Sequence, residues 1–209
     1  MTSLYTAPAL APITANQRLA QQLQFIVEID RLKTVLRRTP LIDQSRRENS
    51  AEHSWHLALM AIALAEYAPE GVDMGRAIQQ VLLHDIVEID AGATFCYDAA
   101  GNINKAEREH AAADRIFGLL PADQSQAVRA LWDEFETQET PTARFAAALD
   151  RVQPLLHNYY TQGGTWKQYG ITKAQLLQRM RPVETGAPKL WPLVQDTIEA
   201  VLQAGYLKK

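Results

Sequence analysis

Apolar residues recur at steps of three and four along most of this chain, and that helical rhythm limits what it can fold into. Over 16–38, Leu19, Leu23, Ile26, Val27, Ile29, Leu32, Val35 and Leu36 fall on one helical face. Pro40 ends the stretch, because a proline cannot continue a helix and biases the preceding residue to extended backbone. The polar connection "IDQSRRENS" follows, and Asn49 or Ser50 can cap a second helix that runs to Tyr67. A third helix is expected over 76–88. After the turn-rich 90–104, further helices are expected over 105–119, 123–137, 141–160, 172–181 and 188–204, with a loop over 161–170. Pro121 separates two of them, Pro141 suits an early helical position, and Pro154 should kink the long one. No strand alternation of useful length, repeat or low-complexity block interrupts the pattern. The expectation is an all-α, single-domain helical bundle over 16–209, preceded by a loose leader over 1–15 that is rich in Pro, Ala and Thr.

Composition removes several classes of function. With 209 residues the chain can bury a sizeable core. A formal net charge of -3 gives no global basic surface, so nucleic acid is not an expected partner. The single cysteine, Cys96, excludes a disulfide framework and a cysteine-rich zinc site, and fits a reducing, cytoplasmic setting. No apolar run approaches the roughly 20 residues that cross a bilayer, so no membrane association is expected, and the N-terminus does not read as a secretory signal.

Against that apolar background, "VLLHDIVEIDAGATF" (81–95) sets His84 and Asp85 side by side in a core-like helix. Burying charge without a partner is costly, so such groups are either paired or hold something. Two more ligand types sit on apolar helix walls: His53, in the first turn of the second helix, and Asp150, in "FAAALDRVQPLL". Each alone has an ordinary explanation. His53 would be a helix-start residue, and Asp150 would pair with Arg151 or Arg144. Together, two imidazoles and two carboxylates form a mixed nitrogen and oxygen set that suits Mn²⁺, Fe²⁺, Co²⁺ or Zn²⁺. Glu88 follows His84 by four residues, which on a continuous helix puts a carboxylate on the same face, ready to exchange a proton.

The order His53, His84–Asp85, Asp150 resembles the metal signature of the HD-domain phosphohydrolases. The flanks "RRENSAEHSWHLALMA" and "LLHDIVEIDAG", and the continuation "LDRVQPLLHNYYTQGGTW", resemble the branch that includes bacterial 5′-deoxynucleotidases. The resemblance runs from Leu32 to Tyr160. It implies a helical bundle around one divalent ion (Mn²⁺, Co²⁺, Fe²⁺, Zn²⁺ or Mg²⁺) with His53, His84, Asp85 and Asp150 as ligands. It further implies Glu88 as the catalytic carboxylate and Arg38 as a phosphate-binding arginine, with a basic counterpart at Arg46. An arginine suits phosphate because its planar fork meets two oxygens at once. Two positions depart from the branch: Thr39 stands where a tryptophan follows the arginine, and Ala93 where an aspartate follows the loop glycine. Dimers are common in the resembling enzymes, and "LWPLVQDTIEAVLQAGYL" has apolar residues enough for a homodimer interface or for closing the core.

The expected activity is hydrolysis of a small phosphate monoester, foremost a (deoxy)nucleoside 5′-monophosphate. Two rivals stay open: hydrolysis of another phosphate ester such as a nucleoside triphosphate or cyclic nucleotide, and a catalytically weakened metal- or nucleotide-binding module, which Ala93 supports. His56 and His157 read as hydrogen-bonded structural residues, His110 as surface, and Lys105 as solvated. The aromatics Trp55, Phe95, Tyr97, Trp132, Tyr159 and Trp166 read mostly as core, with Phe95 or Tyr97 placed to stack on a base.

Overall fold

The computed structural model describes residues 14–208; most of the expected leader, residues 1–13, lies outside them. Helices dominate, as the periodicity requires. α1 (Gln17–Ile29) leads into a short 3₁₀ segment and then a hairpin of β1 (Leu36–Pro40) and β2 (Arg47–Asn49). α2 (Ser50–Ala63), α3 (Met74–Leu83) and the one-turn α4 (Glu88–Ala91) follow. Next come α5 (Lys105–Phe117), α6 (Ala122–Thr137), α7 (Pro141–Tyr160), α8 (Gly164–Tyr169), α9 (Lys173–Gly186) and α10 (Trp191–Gln203).

Local chemistry sets many of the boundaries. Asn49 accepts from the Glu52 amide while the Glu52 carboxylate accepts from the Asn49 amide, a capping box that starts α2 where the sequence places it. Thr172 and Gln175 do the same for α9. Thr140 caps α7, with Pro141 at its first position and Pro154 in its interior.

Four expectations need correction. The first helix does not reach Arg38: Val35 onward is extended, and Leu36–Pro40 pairs antiparallel with Arg47–Asn49, aligning Leu36 with Asn49 and Pro40 with Arg47 around an irregularity. Pro40 favours that extended backbone, and Arg47 ties the strands further by donating to the Leu36 carbonyl at 2.9 Å. The third helix ends at Leu83 instead of running through Glu88. Residues 84–88 form tight turns in which the Ile86 amide donates to the Leu83 carbonyl and the Glu88 amide to the Asp85 carbonyl. Gly164–Tyr169 is helical where a loop is expected. The 188–204 stretch begins as 3₁₀ before α10.

α7 is the axis of the bundle and packs against α9, α3, α6 and α2. Ala146, Ala147, Ala148 and Leu149 are fully buried, and the run of alanines lets neighbouring backbones approach closely. Gly186, near the end of α9, exploits this: a Cβ there would stand 2.1 Å from the Arg144 carbonyl oxygen. Gly186→Ala is therefore expected to destabilise the fold by about 1–3 kcal/mol, which thermal denaturation would register as a drop of several degrees. A smaller apolar cluster gathers Leu32, Ile86, Val87, Ala113, Ile116, Phe117 and Trp132. The 84–88 turn joins it to the main core. Among the described residues no helix is long and apolar enough to cross a membrane.

Candidate metal centre

His53 comes from the first turn of α2, His84 from the end of α3, Asp85 from the turn after it and Asp150 from the middle of α7. The structure brings all four together. One ligand atom each of His53, His84 and Asp150 lie within 4.8 Å of one another, and all three residues are buried. His53 Nε2 lies 3.0 Å from Asp150 Oδ1. His84 Nε2 lies 3.1 Å from Asp85 Oδ1 and 3.7 Å from Asp150 Oδ1.

The imidazoles are oriented from behind. His84 Nδ1 lies 2.9 Å from the Val81 carbonyl, which fixes the proton on Nδ1 and turns the Nε2 lone pair inward, where that buried atom has no hydrogen-bond partner. The Trp132 indole donates to the His84 carbonyl at 3.1 Å, and the Phe135 ring packs against the imidazole. His53 Nδ1 faces Glu48 Oε2 at 3.5 Å. A carboxylate behind a histidine, with the other ring nitrogen aimed at a common point, is the arrangement that supports metal ligation.

Charge balance points the same way. Glu48, Asp85, Glu88 and Asp150 face two arginines: the largely buried Arg37, whose Nη1 donates to Asp85 Oδ2 at 2.7 Å and whose Nε lies 3.4 Å from Glu48 Oε2, and Arg151, which pairs with Asp150. Burial works against the Arg37 guanidinium, but the four carboxylates outweigh it and hold its pKa up. Burial likewise opposes the His84 imidazolium, yet Asp85 and Asp150 carry its pKa up to about 9 in the ion-free chain, so a bound cation would take the place of the Nε2 proton. Such an excess of inward-facing acceptors is what a divalent cation satisfies, so the residues present fit a bound ion.

Glu88 opens α4 beside this set. Its Oε2 accepts from Ser50 Oγ at 2.5 Å. Burial first, and the negative charge of Asp85 second, raise its carboxyl pKa to about 7. That is the range in which a carboxyl can both take and give a proton at neutral pH.

A cleft opens from Asp150, lined by β1, the loop after α4, α7, α8 and α9. Arg38, Ala93, Phe95 and Tyr97 all line it. Arg46 is not brought there: its guanidinium donates to both oxygens of Glu52, at 2.6 and 2.8 Å, on the outer surface. Asp90, the carboxylate nearest in sequence to Ala93, is held by Arg115. His56 and His157 belong to a hydrogen-bonded network, as their residue types suggest. Together with Glu48 they also converge, but the Gln153 amide sits among the three. Its Nε2 donates to Glu48 Oε1 at 2.5 Å and to His157 Nε2 at 3.0 Å, while His157 Nδ1 donates to the Pro40 carbonyl at 3.0 Å. Lys105 pairs with Glu109. Trp132 and Trp166 are core, whereas Trp55 is 59% exposed.

Arg37 and Glu48 are the residues that the sequence reading missed. Both stand on the hairpin, whose second strand is only three residues long, so no alternation in the sequence marks them. Glu48→Gln keeps the shape but removes the charge behind His53, and is expected to weaken divalent-ion affinity by about 10- to 100-fold in a calorimetric titration.

Buried imidazoles and carboxylates at the head of an arginine-lined cleft, within a helical bundle, define a metal-dependent phosphohydrolase site. Residues 29–191 match the family model of the HD domain, and the chain belongs to that family. It is 54% identical to a protein from Magnetospirillum magnetotacticum MS-1 described as a predicted metal-dependent phosphohydrolase, with a TM-score of 0.88 over 92% of this chain and 96% of that one. It is also 30% identical over 135 residues to the 5′-deoxynucleotidase HDDC2 of Homo sapiens, covering 64% of this chain and 65% of that protein. The Bos taurus counterpart is 29% identical over a similar span. The chain thus spans just under two thirds of the length of these curated relatives. A conserved hypothetical protein from Pyrococcus furiosus shares the fold, with a TM-score of 0.60 at 20% identity.

Proposed function

We propose that this chain hydrolyses nucleoside 5′-monophosphates, deoxynucleotides foremost, to nucleoside and phosphate. One observation carries the reading: the convergence of His53, His84 and Asp150 beside Asp85, at the head of a cleft that also holds Arg38 and aromatic side chains. The similarity to the 5′-deoxynucleotidases supports the substrate class. His53, His84, Asp85 and Asp150 would hold one divalent ion, which when bound polarises a phosphoryl oxygen and lowers the pKa of water.

The chain's own residues do the rest. Arg38, exposed in the cleft and without an ion-pair partner among the described residues, holds phosphate oxygens. Glu88 accepts the proton of the attacking water and returns one to the departing 5′-oxygen; Ser50 keeps its carboxylate in place. Phe95 and Tyr97, in edge contact at 5.4 Å, supply an apolar wall against which a nucleoside can lie.

The test is elemental analysis followed by phosphate release from ribo- and deoxyribonucleoside monophosphates with Mn²⁺, Co²⁺ or Mg²⁺ added. About one ion per chain and release from a 5′-monophosphate are expected. Release only from triphosphates or cyclic nucleotides would replace the substrate class. A bound ion with no release, restored by Ala93→Asp, would favour the binding-module alternative.

A further inference from the structure

Four arginines, Arg37, Arg38, Arg151 and Arg179, line the cleft, against the single carboxylate of Asp150. Arg37 is committed to Asp85 and Glu48. Arg151 pairs with Asp150, yet its buried Nε has no partner. Arg179, on α9, is half-buried and forms no ion pair or side-chain hydrogen bond among the described residues. Both Arg151 and Arg179 also line a second groove, between residues 96–102 and α9, that continues outward from the cleft. They therefore stand where the path from the metal centre turns outward, with Cys96 and Tyr97 between the two spaces.

The charges of a phosphate monoester are already met by the ion and Arg38 in the function proposed above. Asp150 meets the imidazoles through Oδ1 and Arg151 through Oδ2, so once Oδ1 serves the ion its single charge is shared between the ion and Arg151. Two guanidinium groups then face the same passage, balanced only in part by Asp150 and Glu136, and bringing such cations together is costly without an anion. We propose that Arg151 and Arg179 form an anion subsite for a second phosphate of the substrate, so that the enzyme prefers a nucleotide phosphorylated at both ends of the sugar, a nucleoside 3′,5′-bisphosphate. This rests on the nucleotidase reading and extends it. The planar forks of two arginines suit a phosphate better than a neutral base edge.

The experiment compares 2′-deoxyadenosine 5′-monophosphate with 2′-deoxyadenosine 3′,5′-bisphosphate, by phosphate release and by calorimetric binding to the metal-loaded protein. The wild type is expected to favour the bisphosphate by about tenfold or more, chiefly through KM. Arg179→Gln should collapse that ratio, and Arg179→Lys should retain part of it. Arg179 forms no hydrogen bond or ion pair with the residues placed at the ion, and ion content and melting temperature check that the site survives. Equal binding of the two nucleotides by the wild type, or a ratio unmoved by Arg179→Gln, would overturn the subsite. If neither nucleotide releases phosphate but the bisphosphate still binds tighter in an Arg179-dependent way, the hydrolase reading fails while the subsite stands.

Discussion

Replacing Asp150 by asparagine is expected to give a folded chain that binds no divalent ion tightly and releases phosphate at least about a thousandfold more slowly. Asp150 reaches both imidazoles with one oxygen, Oδ1, at 3.0 Å from His53 and 3.7 Å from His84, whereas Asp85 uses Oδ2 toward His53 and Oδ1 toward His84. It also stands on the central helix, so its position is fixed by the packing of Leu149 and Val152 on either side. Asparagine preserves the volume and removes the charge. The loss should therefore appear in ion content and turnover, with a smaller effect on the helical circular dichroism signal. Some loss of melting temperature is expected as well, because Arg151 is left without its partner. Retention of a stoichiometric ion and of activity would remove Asp150 from the ligand set.

Glu88→Gln separates proton transfer from ion binding. The glutamine can still meet Ser50 Oγ and is isosteric with the acid, so ion content and fold should persist. Phosphate release is expected to fall by about 10²- to 10⁴-fold. The drop should lie in kcat, with KM for the nucleotide little changed, because the carboxylate acts on the moving proton and not on the phosphate. Undiminished turnover would mean that another group carries the proton, and the burial and charge around Glu88 would then need a structural explanation.

The parts of this molecule that were legible in the sequence are those set by local chemistry. α5, α6 and α7 begin and end within a few residues of their expected places, since caps, prolines and apolar period all lie within the segment. His84 and Asp85 stood out because charge within an apolar stretch demands a partner wherever the chain folds. The end of α3 was not legible. Nothing in "LLHDIVEID" breaks a helix; the turn is held from outside, by Trp132 donating to the His84 carbonyl. Nor was the hairpin, whose short second strand carries too few residues to show alternation. That is why Arg37 reads as part of the first helix, Arg47 and Glu48 as loop polars, and Arg46 as a phosphate-binding candidate. Only the pairing of β1 with β2 turns Arg37 and Glu48 inward and leaves Arg46 on the surface with Glu52.

That hairpin has an implication for how the protein ages in solution. Two strands aligned at so few positions would be marginal by themselves. What pins them is Arg37 on Asp85, Glu48 on Gln153, and the Pro40 carbonyl on His157. The tip between the strands ends in two consecutive arginines, Arg46 and Arg47, which is the cleavage preference of trypsin. Limited digestion should thus act as a gauge of the interior: a nick confined to this tip, appearing when Asp85 is neutralised and suppressed when the acids are satisfied, would report the state of the buried centre without any substrate.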